Sequence, residues 1–384
     1  MTVSTSVTGW RERAAALANH LADAGVLTDP RWRAAIEHTP RHVFVPRFYR
    51  DDHTIVDGAN PATADEWLDE VYRDDSLVVQ LATVQGADRR WPASSSTMPS
   101  LMVRMLELLR VSDGSRVLEI GTATGYNAAL LCHRLGAKQV ASIELHPGLA
   151  AEAAERLGTL GYRPALATGD GDAGIPQHAS YDRIIATCAV PAIPAAWIDQ
   201  LAPAGRIVTD LRGEMSSSLA VLDKTGPDSV VGRLLDHSGH FMWLRHDPDN
   251  PLRDLNRFNF VMDLDTAETT TTDLDPRILD EPGLRVLLAI LEPTLSTPSR
   301  SQRNGTGIWS MHAEGGCWVE ITDATVTQGG PRRLWPAVEH AAAEWQRIGR
   351  PGRGRYGLTA TRRGIHHYWL DTPDHLLRCA AGSH

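Results

Sequence analysis

The residues best suited to chemistry lie in the segment 117–126, whose sequence is VLEIGTATGY. A short apolar run leads through Glu119 to Gly121 at a tight turn, and Gly125 stands where the next helix begins. Glycine lets a backbone approach a ligand closely, and a helix N-terminus receives polar or anionic ligand groups. Because Ala123 breaks the dinucleotide pattern GxGxxG, the segment fits ExGxGxG instead, with alanine at the middle glycine. That turn is typical of proteins that bind S-adenosylmethionine.

Two further carboxylates stand at the ends of the next two predicted strands. Glu144 closes the second strand, where a carboxylate can accept hydrogen bonds from both ribose hydroxyls of a nucleotide. Asp170 lies in a Gly-Asp-Gly sequence after the third strand, where it could reach the adenine amine. Each feature is weak alone, but the three in this order predict a nucleotide-type cofactor. The predicted cofactor site comprises Glu119, Gly121, Thr122, Ala123, Gly125, Glu144, Leu145, Asp170 and Gly171.

A cluster of hydroxyl side chains, Ser95-Ser96-Thr97, precedes a helix predicted to begin at Pro99. These hydroxyls can donate hydrogen bonds to a carboxylate and fix its direction, and the alternative role is capping of the helix. A carboxylate with an ordinary pKa of about 3.9 is ionised at neutral pH, so it needs no general base to attack a sulfonium methyl group. Alignment and exclusion of water are then the main requirements. From the local sequence both roles stay open for Ser95, Ser96 and Thr97, and the lack of a His/Asp or Ser/His constellation agrees with a methyl transfer that needs no base.

The elements that must position these residues follow a regular alternation from residue 116 onward. Strands are predicted over 116–120, 139–145, 165–168, 181–187 and 206–210, with helices over 126–135, 147–158 and 194–201. Such alternation indicates a doubly wound parallel sheet. Upstream, the pattern predicts helices over 11–24, 32–38 and 99–109, an extended segment 38–46 bounded by two prolines, and irregular structure over 51–100. The predicted fold class is α/β, a Rossmann-like sheet with N-terminal helices and a smaller C-terminal α+β domain.

The chain of 384 residues is long enough for two or three domains. We assign 1–100 to an N-terminal helical, substrate-facing segment, 101–225 to the cofactor-binding core, and 226–384 to a linker and a C-terminal α+β module. In that module, strands are predicted over 307–313 and 318–322, a helix over 336–348, and a hairpin over 356–370. Its tryptophans form either a core or a peptide groove: Trp309, Trp318, Trp335, Trp345 and Trp369. Its basic run is either a solvated surface or a receptor for an acidic peptide: Arg350, Arg353, Arg355, Arg362 and Arg363.

Composition and charge exclude several classes of protein. The formal net charge of −9 disfavours a nucleic-acid binder. No apolar run reaches the roughly 18 residues that a membrane span needs. Four scattered cysteines without a CxxC motif support neither a disulfide framework nor a zinc cluster, and His366 and His367 would point to opposite faces of a strand. We therefore expect a cytoplasmic monomer without a metal site, a nucleic-acid partner or a membrane partner.

Over residues 10–225 the sequence resembles the protein-L-isoaspartate O-methyltransferase family. The motifs that carry the resemblance are HTPRHVFVP (38–46), VLEIGT (117–122), GY (161–162), GDG (169–171), YDRII (181–185), VPAIP (190–194) and LAPAGR (201–206). The resemblance implies an enzyme that uses S-adenosylmethionine to esterify a peptide carboxylate. It also implies cofactor roles for Glu119, Gly121, Glu144 and Asp170, and it favours Ser95, Ser96 and Thr97 as the catalytic residues that direct the acceptor carboxylate.

Two departures from the family pattern bear on the substrate. Thr97 takes the place of the serine in the family's Thr-Ile-Ser-x-Pro motif, and residues 226–384 have no counterpart in the ordinary repair enzyme. Such extended chains resemble enzymes encoded with lanthipeptides or graspetides, which methylate a defined aspartate whose ester collapses to an aspartimide. Our first hypothesis is therefore methylation of a precursor or modified peptide. General isoaspartate repair is the alternative, and a non-catalytic peptide-binding protein is the alternative from another class.

Overall fold

The computed structural model describes residues 7–83, 90–248, 267–303 and 305–381. Its helices are α1 (Trp10–Asp23), α2 (Pro30–His38), α3 (Arg41–Phe44), α4 (Ala64–Val71), α5 (Pro99–Leu109), α6 (Tyr126–Leu135), α7 (Pro147–Thr159), α8 (Ala195–Gln200), α9 (Pro282–Leu291) and α10 (Trp335–Arg347). Its strands are β1 (Arg47–Tyr49), β2 (Ile55–Asp57), β3 (Leu77–Thr83), β4 (Arg90–Ser96), β5 (Val117–Ile120), β6 (Val140–Glu144), β7 (Ala165–Thr168), β8 (Tyr181–Val190), β9 (Leu201–Arg212), β10 (Ser217–Gly226), β11 (Ser229–Leu234), β12 (Glu268–Thr271), β13 (Ser299–Arg303), β14 (Thr306–Ala313), β15 (Cys317–Thr322), β16 (Thr325–Gly329), β17 (Tyr356–Thr361), β18 (Ile365–Leu370) and β19 (Leu376–Ala381).

A parallel sheet in the order β7-β6-β5-β8-β9 forms the centre of the fold. Every residue of β5 and β6 is buried, because α5, α6 and α7 pack against the sheet. Strands covered on both faces need nearly continuous apolar sequence, which is why these runs could be recognised. The predicted α/β fold is confirmed, and β8 and β9 extend beyond their predicted ends.

The end of the chain completes this same sheet. Beyond β9, antiparallel pairing continues through β10, β11, β17, β18 and β19. The predicted C-terminal hairpin is present as β17 and β18, but it pairs with β11 rather than lying within a separate module. The buried His366 on β18 reinforces the connection, since its Nε2 accepts the backbone N–H of Ile193 at 3.0 Å. Burial lowers the pKa of His366 to about 4, so its ring is neutral at neutral pH.

A second sheet, in the order β12-β16-β15-β14-β13, lies within the predicted C-terminal module. Its buried residues Val319 and Val326 share one apolar core with Ile207 of the central sheet. Four of the module's tryptophans are buried: Trp318, Trp335, Trp345 and Trp369. Trp309 is half-buried, with the Arg300 guanidinium 4.1 Å from its ring centroid. The interpretation of these tryptophans as core is thus confirmed for all except Trp309.

Two predictions for the N-terminal region were wrong. Residues 51–100 are not irregular, because β3 and β4 pair with β1 and β2 in the order β2-β1-β3-β4 and α4 packs beside them. The segment 38–46 is not fully extended, because Arg41–Phe44 forms one helical turn, α3, with Pro40 at its N-cap. Proline restricts its own φ and the residue before it, which left the residues between the two prolines free to turn.

Gly357 allows a test of how firmly the C-terminal strands belong to the sheet. It lies opposite Trp369, and a Cβ atom there would stand 2.1 Å from the indole ring. We expect Gly357→Ala to lower the free energy of unfolding by about 1–3 kcal/mol, since the crowded indole is buried. Gly352→Ala is the control, because a Cβ there meets nothing within 4 Å. Equal denaturation midpoints for the two variants would contradict this packing.

Candidate active site

A cleft opens at the carboxyl ends of β5, β6 and β8, where open α/β sheets bind ligands. One side is formed by the turn after β5 and by the end of β6. Facing them are β4 and an irregular segment that follows β11. We call residues 239–245 of that segment the roof, because all seven line the cleft. The cleft therefore joins residues from both sides of the predicted boundary at residue 225.

The turn after β5 has a left-handed backbone at three alternate positions. The φ angles are +92° at Gly121, +46° at Ala123 and +87° at Gly125. A Cβ at Gly121 would lie 3.1 Å from the Thr187 hydroxyl, so glycine is required there by space as well as by conformation. Alanine in this conformation costs roughly 1–2 kcal/mol. That cost is offset locally, because the Ala123 N–H donates to Glu144 at 2.8 Å.

Glu144 links the turn to β6 and lines the cleft. Its Oε2 accepts the Ala123 N–H, and its Oε1 accepts the His146 N–H at 3.1 Å. Each carboxylate oxygen has a second acceptor position, so both can still receive hydroxyl donors from a bound ribose. The structure thus gives the predicted ribose ligand a geometry that fits its role. Of the predicted cofactor residues, those that line the cleft are Gly121, Ala123, Glu144, Leu145 and Gly171.

Glu119 and Thr122 lie behind the cleft rather than in it. The fully buried Glu119 carboxylate accepts hydrogen bonds from Asn127 Nδ2 at 2.8 Å and Ser142 Oγ at 2.5 Å. Thr122 Oγ1 lies 2.6 Å from the same Ser142 hydroxyl. Burial raises the pKa of Glu119 to about 7, against the effect of those hydrogen bonds. In this structure the contacts of Glu119 and Thr122 hold the turn against β6 and α6, and neither residue lines the cleft.

Asp170 and Gly125 also lie away from the lining. The Asp170 carboxylate accepts the Asp172 N–H at 2.9 Å, and its other oxygen lies 2.8 Å from His246 Nδ1. Asp170 therefore stands at the rim of the cleft, with a hydrogen-bond partner at each carboxylate oxygen. It is not among the residues that line the cleft, where the sequence predicted that it would contact adenine. Gly125 begins α6 and approaches Ala153 closely enough that a Cβ would lie 3.2 Å away. Its smallness serves packing between α6 and α7.

The hydroxyl cluster divides into two parts. Ser95 and Thr97 line the cleft, whereas Ser96 is buried with its hydroxyl 3.5 Å from Arg41 Nη2. Ser96 therefore does not line the cleft, where the sequence predicted that it would contact the substrate carboxylate. Helix α5 has Met98 at its N-cap without a side-chain cap, and the Ser100 N–H donates to Asp74. Thr97 thus does not cap the helix, and its hydroxyl makes no hydrogen bond within the described residues.

Arg41 holds this hydroxyl-bearing strand end in place. The guanidinium is fully buried and donates to the backbone carbonyls of Val71, Arg73, Asp75 and Thr97. The bond to Thr97 O is 3.1 Å long. A buried cation is costly unless its donors find partners, and the carbonyls supply partners for both Nη groups, while the buried Nε has none among the described residues. The helical turn α3, which the sequence did not predict, is what brings Arg41 beneath the cleft.

The roof was missed entirely by the sequence analysis. It is held by hydrogen bonds from its backbone N–H groups. The Phe241 N–H donates to the side-chain carboxylate of Asp210, and the Leu244 N–H donates to the backbone oxygen of Ala189 at 2.7 Å. The Arg212 guanidinium lies 5.0 Å from the ring centroid of Trp243. Burial raises the pKa of Asp210, whose other oxygen accepts the Ser217 hydroxyl. The only sequence signal was the apolar run 241–244, which lacks the periodicity of a helix or strand.

One cysteine is among the residues that line the cleft. Cys188 lines the cleft, but burial raises the pKa of its thiol, so it is not a ready nucleophile. Among residues 7–83, 90–248, 267–303 and 305–381, no group of three histidine, cysteine or acidic side chains could hold a metal ion. In the same ranges, no helix has the length and apolar character to cross a membrane.

Comparison with known proteins supplies the family. Residues 12–242 match the family described as protein-L-isoaspartate(D-aspartate) O-methyltransferase. The protein-L-isoaspartate O-methyltransferase of Roseiflexus castenholzii is 34% identical over 230 residues, which cover 58% of this chain and 91% of the relative. That of Aeropyrum pernix is 32% identical over 225 residues, covering 58% of this chain and 75% of the relative.

A solved structure shows that the fold likeness extends farther than the sequence match. It is named a protein-L-isoaspartate O-methyltransferase and is 22% identical, with a TM-score of 0.55. The likeness covers 94% of this chain and all of that one, so it reaches into residues 226–384. Part of the C-terminal region therefore shares its fold with this solved structure. With residues 12–242 matched to one family and a 34% identical relative covered over 91% of its length, the chain belongs to the protein-L-isoaspartate(D-aspartate) O-methyltransferase family, whose members are S-adenosylmethionine-dependent protein carboxyl methyltransferases.

Proposed function

We propose that this chain esterifies a peptide carboxylate in the cleft between the β5 turn and β4. The observation that carries the proposal is one cavity lined both by the Glu144–Ala123 turn and by the unbonded Thr97 hydroxyl. S-adenosylmethionine supplies a methyl group on a positively charged sulfur, which a carboxylate oxygen can take without prior proton removal. The chain needs only to bind, orient and exclude water.

Each lining residue then has a defined task. Glu144 accepts the ribose hydroxyls, Gly121 lets the backbone come close, and Gly171 leaves room beside Ile120, whose Cγ2 would lie 2.5 Å from a Cβ at that position. On the opposite wall, Ser95 and Thr97 donate to the acceptor carboxylate and direct one oxygen toward the methyl group. The roof covers the cleft and keeps water from the reacting atoms. The buried Arg41 preserves the direction of Thr97.

The finer proposal concerns the acceptor. We propose an aspartate in a ribosomally made, modified peptide. The nitrogen of the following backbone amide then attacks the carbonyl carbon of the methyl ester, methoxide leaves with the amide proton as methanol, and an aspartimide ring forms. General repair of isoaspartate is the alternative. Thr97 carries one methyl group more than the serine of the family motif. That methyl group leaves less room beside the acceptor carboxylate, which supports a restricted range of substrates. A cytoplasmic monomer is the form in which we expect the enzyme to act.

The C-terminal surface gives this finer proposal less support than the sequence suggested. Arg355 is paired with Asp371, and Arg362 is paired with Asp228. Arg353 is half-buried and donates to the Ser238 hydroxyl. Three cations of the basic run are thus engaged within the chain. Recognition of a specific peptide must depend chiefly on residues closer to the cleft.

A panel of substrates tests the proposal on the intact chain. Because β17 pairs with β11, removal of the C-terminal region would leave the sheet incomplete. We expect the full-length enzyme to methylate a peptide encoded beside its gene more efficiently than short isoaspartyl peptides. Mass spectrometry would show a gain of one methylene for the ester, or a net loss of one water for the aspartimide. Efficient methylation of many unrelated isoaspartyl peptides would favour repair, and methylation of no peptide would favour a binding protein.

Glu144 gives a test of the cofactor wall. We expect Glu144→Ala to weaken binding of S-adenosylhomocysteine by about 1.5–3 kcal/mol in calorimetry, because a charged acceptor of hydrogen bonds is lost. The control is Glu152→Ala, a carboxylate on α7 whose side chain is exposed and paired with Arg156. Thermal unfolding of each variant would separate lost binding from lost folding. An affinity equal to that of the control would remove Glu144 from the cofactor site.

Thr97 gives a test of the acceptor wall. We expect Thr97→Val to reduce kcat by roughly tenfold or more with little change in S-adenosylhomocysteine affinity, since valine keeps the shape but lacks the donor. Thr97→Ser should retain turnover, because it keeps the hydroxyl. The helix has no side-chain cap to lose, so unfolding should change little. Normal turnover by the valine variant would rule out a role for the Thr97 hydroxyl in methyl transfer.

A further inference from the structure

Arg245 is a cation placed inside the cleft, and no carboxylate among the described residues forms an ion pair with it. It ends the roof, is half-buried and lines the cavity. One of its donors, Nη2, bonds to Ala93 O at 2.9 Å. Within the described ranges, its Nε and Nη1 groups make no hydrogen bond. A guanidinium has five donors in a fixed fork, so most of its hydrogen-bonding capacity is unused.

Arg245 lies between the two walls of the cleft. One is the acceptor wall, formed by the end of β4 with Ser95 and Thr97, and the other is the cofactor wall, formed by the turn after β5 and Glu144. Ala93, which anchors it, immediately precedes Ser94 and Ser95 on the acceptor wall. Across the cleft, the negative charge of Glu144 acts on the guanidinium. Burial lowers the pKa of Arg245, and Glu144 partly opposes that change. Arginine keeps its charge throughout the physiological range, so the cleft contains a fixed positive charge beside the acceptor strand.

We propose that Arg245 binds the acceptor carboxylate of the peptide substrate, together with the hydroxyls of Ser95 and Thr97. The inference rests on the proposed function and specifies its substrate recognition. A planar guanidinium and a carboxylate form paired, charge-assisted hydrogen bonds, which fix both position and orientation. The cofactor also carries a carboxylate, but the bond from Arg245 to Ala93 places the guanidinium on the acceptor wall.

This assignment also gives the site a way to release its product. Esterification removes the negative charge from the acceptor group, so the attraction to Arg245 falls once the methyl group has been transferred. The enzyme would then bind the free acid more tightly than the methyl ester of the same peptide. That difference should depend on Arg245, whereas a residue that only shapes the cleft would affect acid and ester alike.

Calorimetry with the full chain and S-adenosylhomocysteine tests the proposal, with a peptide that the wild-type enzyme methylates as the probe. We expect Arg245→Gln to weaken binding of the free acid by roughly tenfold to a hundredfold, to leave the methyl ester little affected, and to leave S-adenosylhomocysteine affinity unchanged. Arg245→Lys should restore part of the preference for the acid. Arg363→Gln, at an exposed turn after β17, is the control for a change in net charge.

The outcomes separate this inference from the proposed function. Wild-type methylation combined with unchanged acid binding by Arg245→Gln would overturn the role of Arg245 alone. A loss of S-adenosylhomocysteine affinity without a change in peptide binding would assign the guanidinium to the cofactor's carboxylate and overturn the substrate assignment. Equal losses for acid and ester would reduce Arg245 to a structural part of the roof. Absence of methylation by the wild-type enzyme would instead contradict the proposed function.

Discussion

The hydrogen bond from the Ala123 N–H to the Glu144 carboxylate is the contact on which the site depends. It joins two parallel strands through a turn whose backbone is left-handed at an alanine. The same carboxylate accepts the N–H of His146 at the start of α7. One side chain thus sets the turn and the end of β6 together, and in the function proposed above it also positions the ribose. Glu119, behind the turn, supports this arrangement from the dry side through Ser142 and Asn127.

The opposite wall is assembled by a different device. Among the described residues Arg41 has no acidic hydrogen-bond partner, and it organises backbone carbonyls from two separate stretches of chain, 71–75 and Thr97. A charge buried in this way fixes its surroundings, because every displaced carbonyl would leave a donor unsatisfied. Asp210 holds the roof in a similar way. Its carboxylate accepts hydrogen bonds from the Phe241 N–H and the Ser217 hydroxyl. The cleft is therefore lined by residues that are held from behind.

Sequence reasoning succeeded where glycine and proline mark both ends of an element. Helix α6 lies between Gly125 and Gly136, and α5 begins at Pro99, and both were predicted with their observed bounds. It also singled out Glu144, which does line the cleft, because a carboxylate closing the second strand has a definite chemical use; its contact with ribose stays a prediction. It failed for Arg245 and Trp243, since the roof is held by contacts with β8 and β9 rather than by any local pattern. It could not foresee that Glu119 and Thr122 lie behind the turn, because spacing does not tell on which side of a turn a side chain lies; their predicted cofactor roles stay predictions.

The pairing of β11 with β17 has a consequence for how the protein is made. Residue 234 leaves the ribosome long before residue 356, so the edge of the growing sheet stays unpaired while the intervening chain is synthesised. An open edge strand can recruit other strands, including those of neighbouring nascent chains. The second sheet, with α9 and α10, must fold during this interval. Completion of this sheet is thus delayed until β17 emerges, and until then the open edge of β11 is a site where the nascent chain can aggregate.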